Sequence, residues 1–171
     1  GEVVLQDSLN KAQTEETIRE WQLKIDVYSA KYIWDSVEIC YRGLLELDST
    51  NFVNLWAYAF FMQQQNKTEQ AIRCYEKCLS EVINEDMRGT IYSDLGIAYE
   101  SDQNYALAEK MYMSALEINE RLAQANPVQY EPRMIAPLLN LGAFYLIIQQ
   151  SAKAEKSLRR ALKIVESLSK N

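Results

Sequence analysis

The sequence offers few residue types that could do chemistry. It contains no histidine, so the commonest general base and metal ligand is missing, and neither a Ser-His-Asp nor a Cys-His arrangement can form. A mechanism that uses only carboxylates or only cysteines stays formally open. All five glycines are isolated, and a glycine-rich phosphate-binding loop is therefore missing as well. We expect a protein that is not an enzyme and that holds neither a cofactor nor a metal.

The three cysteines occupy positions that favour packing over reactivity. Cys74 and Cys78 lie one turn apart on an expected helix, which is a poor geometry for a disulfide. We interpret both residues and Cys40 as buried packing residues, against the alternatives of a redox thiol or an incomplete metal site. Cysteines without an obvious disulfide pairing favour a reducing compartment, and we expect a cytoplasmic location.

Charge and hydropathy exclude two classes of partner. The chain has 24 acidic and 18 basic residues and a formal net charge of −6, which would repel a phosphate backbone, so we expect no nucleic acid. Neither a long apolar window nor a basic segment followed by an apolar one occurs, so we expect no membrane span and no signal peptide. The first residue is Gly1, and we expect the chain to be a piece of a longer protein.

One internal spacing recurs four times along the chain. From Gly96 to Ala108 is 12 residues, as it is from Gly142 to Ala154, and apolar residues follow each alanine at +4 and +7. The same spacing starts from two earlier positions, so that successive starts are 34, 37 and 46 residues apart. The +4 and +7 steps place three side chains on one helical face, and the small residues lie where a second helix would press closest. A spacing that is constant within copies and variable between them predicts four helical hairpins. The four copies start at Ile25, Ala59, Gly96 and Gly142.

This pattern resembles the tetratricopeptide repeat, a helix-turn-helix unit of about 34 residues. The third copy has the full pattern, the fourth is nearly as complete, the second is fair, and the first matches through its spacing. The proline that usually closes each repeat is replaced, and the segment 106–125 has no helix breaker, as in the longer repeats of kinesin light chains and many bacterial tetratricopeptide proteins. The resemblance implies an all-α fold, an α-solenoid of about four antiparallel helical hairpins in a right-handed superhelix. The residues that carry the pattern in the third copy are Tyr92, Leu95, Gly96, Tyr99, Ala108 and Tyr112.

The repeat divides the chain into expected helices and domains. We expect residues 1–17 to form an N-terminal helical extension or cap, with an apolar face at Val3, Val4, Leu5, Leu9 and Ala12, and residues 18–171 to form the array. Polar turns are expected between the helices, including one over 126–131. The expected helices lie near 2–33, 35–47, 52–65, 68–83, 88–101, 104–125, 132–149 and 151–169. The expected hairpins are about 18–51, 52–88, 89–131 and 132–169.

The resemblance also implies where a ligand binds. In tetratricopeptide proteins the first helices of successive hairpins line a concave groove that takes a peptide. Trp56 and Phe60 are one turn apart and outside the packing pattern, so they form either an apolar anchor for the ligand or padding against a neighbouring helix. The Lys and Asn with which some members clamp a chaperone's C-terminal carboxylate are missing from these positions. The candidate peptide-binding residues are Gln22, Asp26, Trp56, Phe60, Gln63, Ser93, Ile97, Glu100, Leu139 and Ala143.

The implied function is a protein-protein interaction scaffold whose partner is an unknown protein or peptide. The alternative is a regulatory or sensor module of a larger protein whose effector domain lies outside this chain. A self-assembling element is a third hypothesis, because the C-terminal helix is apolar with little polar relief, so that either the parent protein continues beyond it or two copies self-associate through it. A helical-toroid carbohydrate enzyme is disfavoured, since four hairpins cannot close a ring.

Overall fold

A computed structural model describes residues 2–169, with side chains from residue 10 onward, and throughout this range the regular structure is helical. Of the apolar face expected near the N-terminus, Val3, Val4, Leu5 and Leu9 lie outside the described side chains, and Ala12 is exposed. The elements are α1 (Glu2–Ala30), α2 (Trp34–Leu47), α3 (Phe52–Gln64), α4 (Thr68–Glu81), α5 (Glu85–Ser101), α6 (Tyr105–Ala125), α7 (Pro127–Tyr130), a 3-10 turn (Pro132–Met134), α8 (Ile135–Ile147) and α9 (Ser151–Leu168).

The predicted all-α fold of paired helical hairpins is confirmed, and so is the long uninterrupted helix that became α6. The turn predicted over 126–131 is wrong in part, because it contains α7. The Asn126 side chain accepts a hydrogen bond from the Gln129 amide, and Pro127 stands at the first helical position, where its missing N–H costs nothing. The helix predicted from residue 132 begins three residues later, after the 3-10 turn.

The same backbone turn closes the first helix of every hairpin. In each, an amide N–H bonds to the carbonyl five residues earlier, and the residue just before that amide has a left-handed φ, as in a Schellman cap. This cap satisfies carbonyl groups that the end of a helix leaves unpaired. The bonds run from Ile33 to Tyr28, Lys67 to Met62, Asn104 to Tyr99 and Gln150 to Tyr145, and the left-handed residues are Tyr32, Asn66, Gln103 and Gln149.

The chain divides into two compact units, residues 1–58 and 59–171, and the boundary falls within α3. The domain limits expected from the repeat stay a prediction. In the first unit α1 packs on α2, and the Trp21 ring covers Gly43 so closely that an added Cβ would lie 2.9 Å from it. The Tyr41 and Tyr58 rings lie 5.7 Å apart. The buried residues of α2 are Val37, Cys40 and Leu44.

The core of the second unit consists of the repeat's packing residues. Gly96 of α5 faces the Tyr112 ring of α6, and Gly142 of α8 faces the Leu158 side chain of α9. Burying large side chains such as Tyr112 at these close approaches removes much apolar surface from water. The buried members of the repeat pattern are Ala59, Ala71, Tyr75, Cys78, Leu95, Ala98, Tyr99, Ala108, Tyr112, Ala115, Leu141, Tyr145, Ala154 and Ala161.

Two tyrosine hydroxyls join neighbouring hairpins within the second unit. Tyr99 on α5 donates to Glu76 on α4 at 2.6 Å, and Tyr145 on α8 donates to Glu109 on α6 at 2.9 Å. These tyrosines occupy the same position of the repeat, three residues after Gly96 and Gly142. The same contact type therefore sets the stacking of hairpin three on hairpin two and of hairpin four on hairpin three.

We expect Gly96→Ala to lower the free energy of unfolding by about 2 kcal/mol, because overpacking a core costs about 1–3 kcal/mol. A Cβ at residue 96 would lie 2.6 Å from two Tyr112 ring atoms. Gly89→Ala is the matched control on the same helix, because its Cβ would meet Ile118 at 3.4 Å, and alanine favours a helix by up to about 1 kcal/mol. Urea denaturation of both variants measures the difference; equal effects would contradict the close-approach account.

Candidate functional site

Five predicted site residues lie on two contacting helices of the second unit, and we call this surface the α5–α8 face. On α5, Ser93, Ile97 and Glu100 follow the helical spacing that places them on one face, as do Leu139 and Ala143 on α8. α5 contacts α8. Ile97 is 37% exposed and Leu139 47% exposed, although both stand in helices whose other faces are buried. Ala143 is exposed as well, and Ser93 and Glu100 are half-buried.

The polar side chains Gln63 and Glu100 are held in place by tyrosines of the following helices. The Tyr112 hydroxyl donates to Glu100 Oε2 at 2.9 Å, and the Tyr75 hydroxyl donates to Gln63 Oε1 at 2.9 Å. Each pair is 12 residues apart and lies at the same place in its hairpin. Both acceptors are half-buried, and the tyrosine hydroxyls restrict the orientation of their side chains.

Trp56 and Phe60 both lie on α3, but in different units, Trp56 in the first and Phe60 in the second. Phe60 is 51% exposed, which leaves its ring available to a ligand. Trp56 is half-buried and has at least one interaction within the protein. The anchor that we predicted from the pair stays a prediction, and Phe60 is its more accessible member.

The two remaining candidates, Gln22 and Asp26, lie on α1 in the first unit. Both side chains are exposed and stand one turn apart on the helix. Their role in ligand binding stays a prediction.

Burial and acceptor groups favour the neutral form of the tyrosines that support the site. Burial raises the pKa of Tyr99 to about 12, and the hydrogen bond and negative charge of Glu76 act in the same direction. Burial and Glu109 likewise raise the pKa of Tyr145 to about 12. Tyr75 and Tyr112 also have raised pKa values, mainly because they are buried. All four hydroxyls therefore donate hydrogen bonds at neutral pH.

The described side chains include no group of three or more Cys, Asp or Glu residues that could hold a metal ion. Cys40 and Cys78 are buried as predicted, whereas Cys74 is half-buried. Burial raises the pKa of Cys78 to about 12 and also raises that of Cys74, so neither thiol is an activated nucleophile. Within residues 2–169 the helices are too short or too polar to cross a membrane. The cytoplasmic location stays a prediction.

Two further surfaces of the second unit are apolar. The C-terminal helix α9 exposes Leu162, Val165 and Leu168. Self-association through this apolar surface stays a prediction. A groove between α6 and α9 was missed from the sequence, because residues of three separate helices build it. Its only sequence signal is the basic character of residues 153–163 in an acidic chain.

Comparison with known proteins identifies the repeat. Residues 52–121 match the tetratricopeptide repeat family, and no curated protein matches the chain. The solved structure of BtubC (BKLC) from P. vanneervenii has a TM-score of 0.78 and 21% identity, over 98% of this chain and 73% of that chain. MamA (41-end) from Desulfovibrio magneticus RS-1 has a TM-score of 0.68 and 13% identity, over 97% and 93% of the two chains. Pseudomonas aeruginosa pilF has a TM-score of 0.65 and 18% identity, over 89% and 63%. At these identities the likeness shows the fold alone.

We expect the protein to lose stability as the pH rises from about 10 to about 12. Tyr99 and Tyr145 have folded-state pKa values of about 12, against an ordinary value of 10.0, so the unfolded chain releases their protons first and alkali favours unfolding. The measurement is the urea midpoint as a function of pH. Tyr99→Phe/Tyr145→Phe should flatten this dependence, because it removes two of the groups whose folded-state pKa is raised. An unchanged slope in the double variant would contradict the assignment.

Proposed function

This chain contains tetratricopeptide repeats, which generally serve as protein-interaction modules, and from this premise we propose that it is a non-catalytic scaffold that binds a peptide or partner protein on the α5–α8 face. The exposure of Ile97 and Leu139 at matching faces of successive first helices carries the proposal. Both helices bury their opposite faces in the hairpin core. Exposed apolar side chains on helices with a well-packed core mark surfaces available to a partner.

The chemistry of the face favours a ligand with apolar side chains and hydrogen-bond donors. Ile97, Leu139 and Ala143 offer apolar contact, and Glu100 offers a carboxylate that Tyr112 holds in place. A backbone amide or a basic side chain of the ligand would bond to the carboxylate oxygen that Tyr112 leaves open. A basic or neutral peptide also suits a chain with a formal net charge of −6.

Phe60 supports an extension of this surface in the second unit. It follows Ala59 by one position, as Ile97 follows Gly96 and Ala143 follows Gly142. Three consecutive hairpins therefore expose an apolar residue at the same repeat position. Gln63, fixed by the Tyr75 hydroxyl, stands on α3 where Glu100 stands on α5. We propose that Phe60 and Gln63 bind the ligand together with the α5–α8 face.

The proposal is tested by affinity capture from the source organism, with Ile97→Ser/Leu139→Ser as the altered bait. Truncating two exposed apolar contacts should weaken binding by about tenfold or more, because each loses about 1 kcal/mol or more of buried contact. Proteins that bind at this face should be retained by the wild type and lost by the double variant. Dissociation constants of the purified partner then quantify the loss.

The matched control is Ile83→Ser, because Ile83 is 94% exposed and lies in the connection between α4 and α5. It removes the same kind of side chain at a different place on the same unit. Equal retention of every captured protein by the wild type and by Ile97→Ser/Leu139→Ser would refute the α5–α8 face as the binding surface.

A further inference from the structure

The groove between α6 and α9 has the size and lining of a binding site. It encloses about 780 Å³, within the range of about 300–1,000 Å³ for ligand sites. Its floor is apolar and comes from α6 and α8, whereas its rim is charged and comes from α6 and α9. The floor residues are Met113, which is 48% exposed, and Leu116, Leu138, Leu141 and Tyr145, which are almost fully buried. We call it the α6–α9 groove; it uses the second helices of hairpins three and four together with the buried side of α8, whereas the α5–α8 face uses α5 and the exposed side of α8.

Two ion pairs cross the groove and hold its walls together. Lys153 Nζ on α9 lies 3.0 Å from Glu109 Oε1 on α6, and Arg160 on α9 pairs with Glu120 on α6. Glu109 also accepts the Tyr145 hydroxyl from the floor, and the hydrogen bond from Lys153 lowers the pKa of Glu109. Because the walls are joined near both ends of the lining segments, the groove between them is preformed, which reduces the entropy that a ligand must overcome.

The rim carries positive charge that the protein itself does not neutralise. Lys110 on α6 and Lys156 on α9 are both exposed, and neither forms an ion pair with any described residue. Glu117 is the one acidic residue of the lining that likewise forms no ion pair with any described residue. The wall helix α9 has five basic and two acidic residues, whereas the whole chain has a formal net charge of −6. The lining itself has four basic and three acidic residues, a small positive excess in a chain whose formal net charge is −6. An acidic ligand is therefore favoured at this groove relative to the rest of the chain.

The shape favours a peptide over a small molecule. The lining on α6 extends from Ala106 to Glu120, which is about 21 Å at about 1.5 Å per helical residue. An extended peptide covers that length with about six residues at about 3.3 Å each. A largely apolar floor with charged side chains along the rim matches a segment that has apolar side chains flanked by carboxylates.

We propose that the α6–α9 groove is a second ligand site that takes a short acidic peptide segment of a partner protein. Apolar side chains of that segment pack on Met113, the exposed residue of the floor, and its carboxylates pair with Lys110 and Lys156. The site is independent of the α5–α8 face, so one chain binds two partners or two segments of one partner at the same time.

The test uses a displayed library of random dodecapeptides, selected on the folded wild-type chain. The selected sequences should include a class with Asp or Glu next to apolar residues, and members of that class should bind Lys110→Glu/Lys156→Glu at least about tenfold more weakly, because each reversal replaces an attraction by a repulsion. Met113→Ser should weaken the same peptides without changing the charge. Raising the salt concentration should weaken them as well.

The matched control is Lys77→Glu/Lys163→Glu, which changes the net charge equally at exposed residues outside the groove lining. Peptides that lose affinity equally for both double variants respond to overall charge, and that result would overturn the proposal. Selection of peptides that are all insensitive to Lys110→Glu/Lys156→Glu would overturn it too. Thermal denaturation checks folding, and Lys110→Gln/Lys156→Gln replaces the reversal if the reversed variant unfolds. Peptides that are sensitive only to Ile97→Ser/Leu139→Ser report on the α5–α8 face, so the two sites are scored separately.

Discussion

The close approach of two helices within each hairpin is the constraint on which the rest of the second unit depends. Gly96 and Gly142 leave no room for a Cβ, because Tyr112 and Leu158 occupy that space. A small residue opposite a large one brings the helix axes close and fixes their register, since only one alignment matches the two. That register determines which of the following residues along each helix are buried and which are exposed.

Tyr112 shows how this packing leads to the surface. Its ring fills the space over Gly96, and its hydroxyl extends to Glu100, one turn further along α5. A residue of the second helix thus packs the hairpin and also positions an acceptor on the exposed face of the first helix. Tyr75 does the same for Gln63 in the preceding hairpin. Core packing and the orientation of surface acceptors are therefore coupled through single side chains.

The hairpins were predictable from the sequence because packing within a hairpin depends on residues at fixed separations. The spacing of 12 residues from Gly96 to Ala108 and the breaker-free segment of α6 both correspond to observed elements. α7 was not predicted, because the Asn126 cap and Pro127 also fit a turn, and four residues are too few to show periodicity. The α6–α9 groove was not predicted because its ion pairs join residues 44 and 40 positions apart. Local sequence patterns do not predict contacts over such a distance. Because the linkers between hairpins differ in length, the repeat spacing does not predict how one hairpin aligns with the next.

The fourth hairpin departs from the other two of this unit at the positions that fix a surface acceptor. Where the second and third hairpins have Gln63 with Tyr75 and Glu100 with Tyr112, the fourth has Leu146 with Leu158. Without a hydroxyl and an acceptor this pair makes no hydrogen bond, and Leu146 is 56% exposed. The exposed face of α8 is consequently apolar at three repeat positions, whereas the same positions of α5 are partly polar. They are Leu139, Ala143 and Leu146 on α8, and Ser93, Ile97 and Glu100 on α5. Under the proposed function, a ligand that spans both helices needs polar groups over α5 and an uninterrupted apolar segment over α8. This difference between the two helices favours one orientation of the ligand along the array.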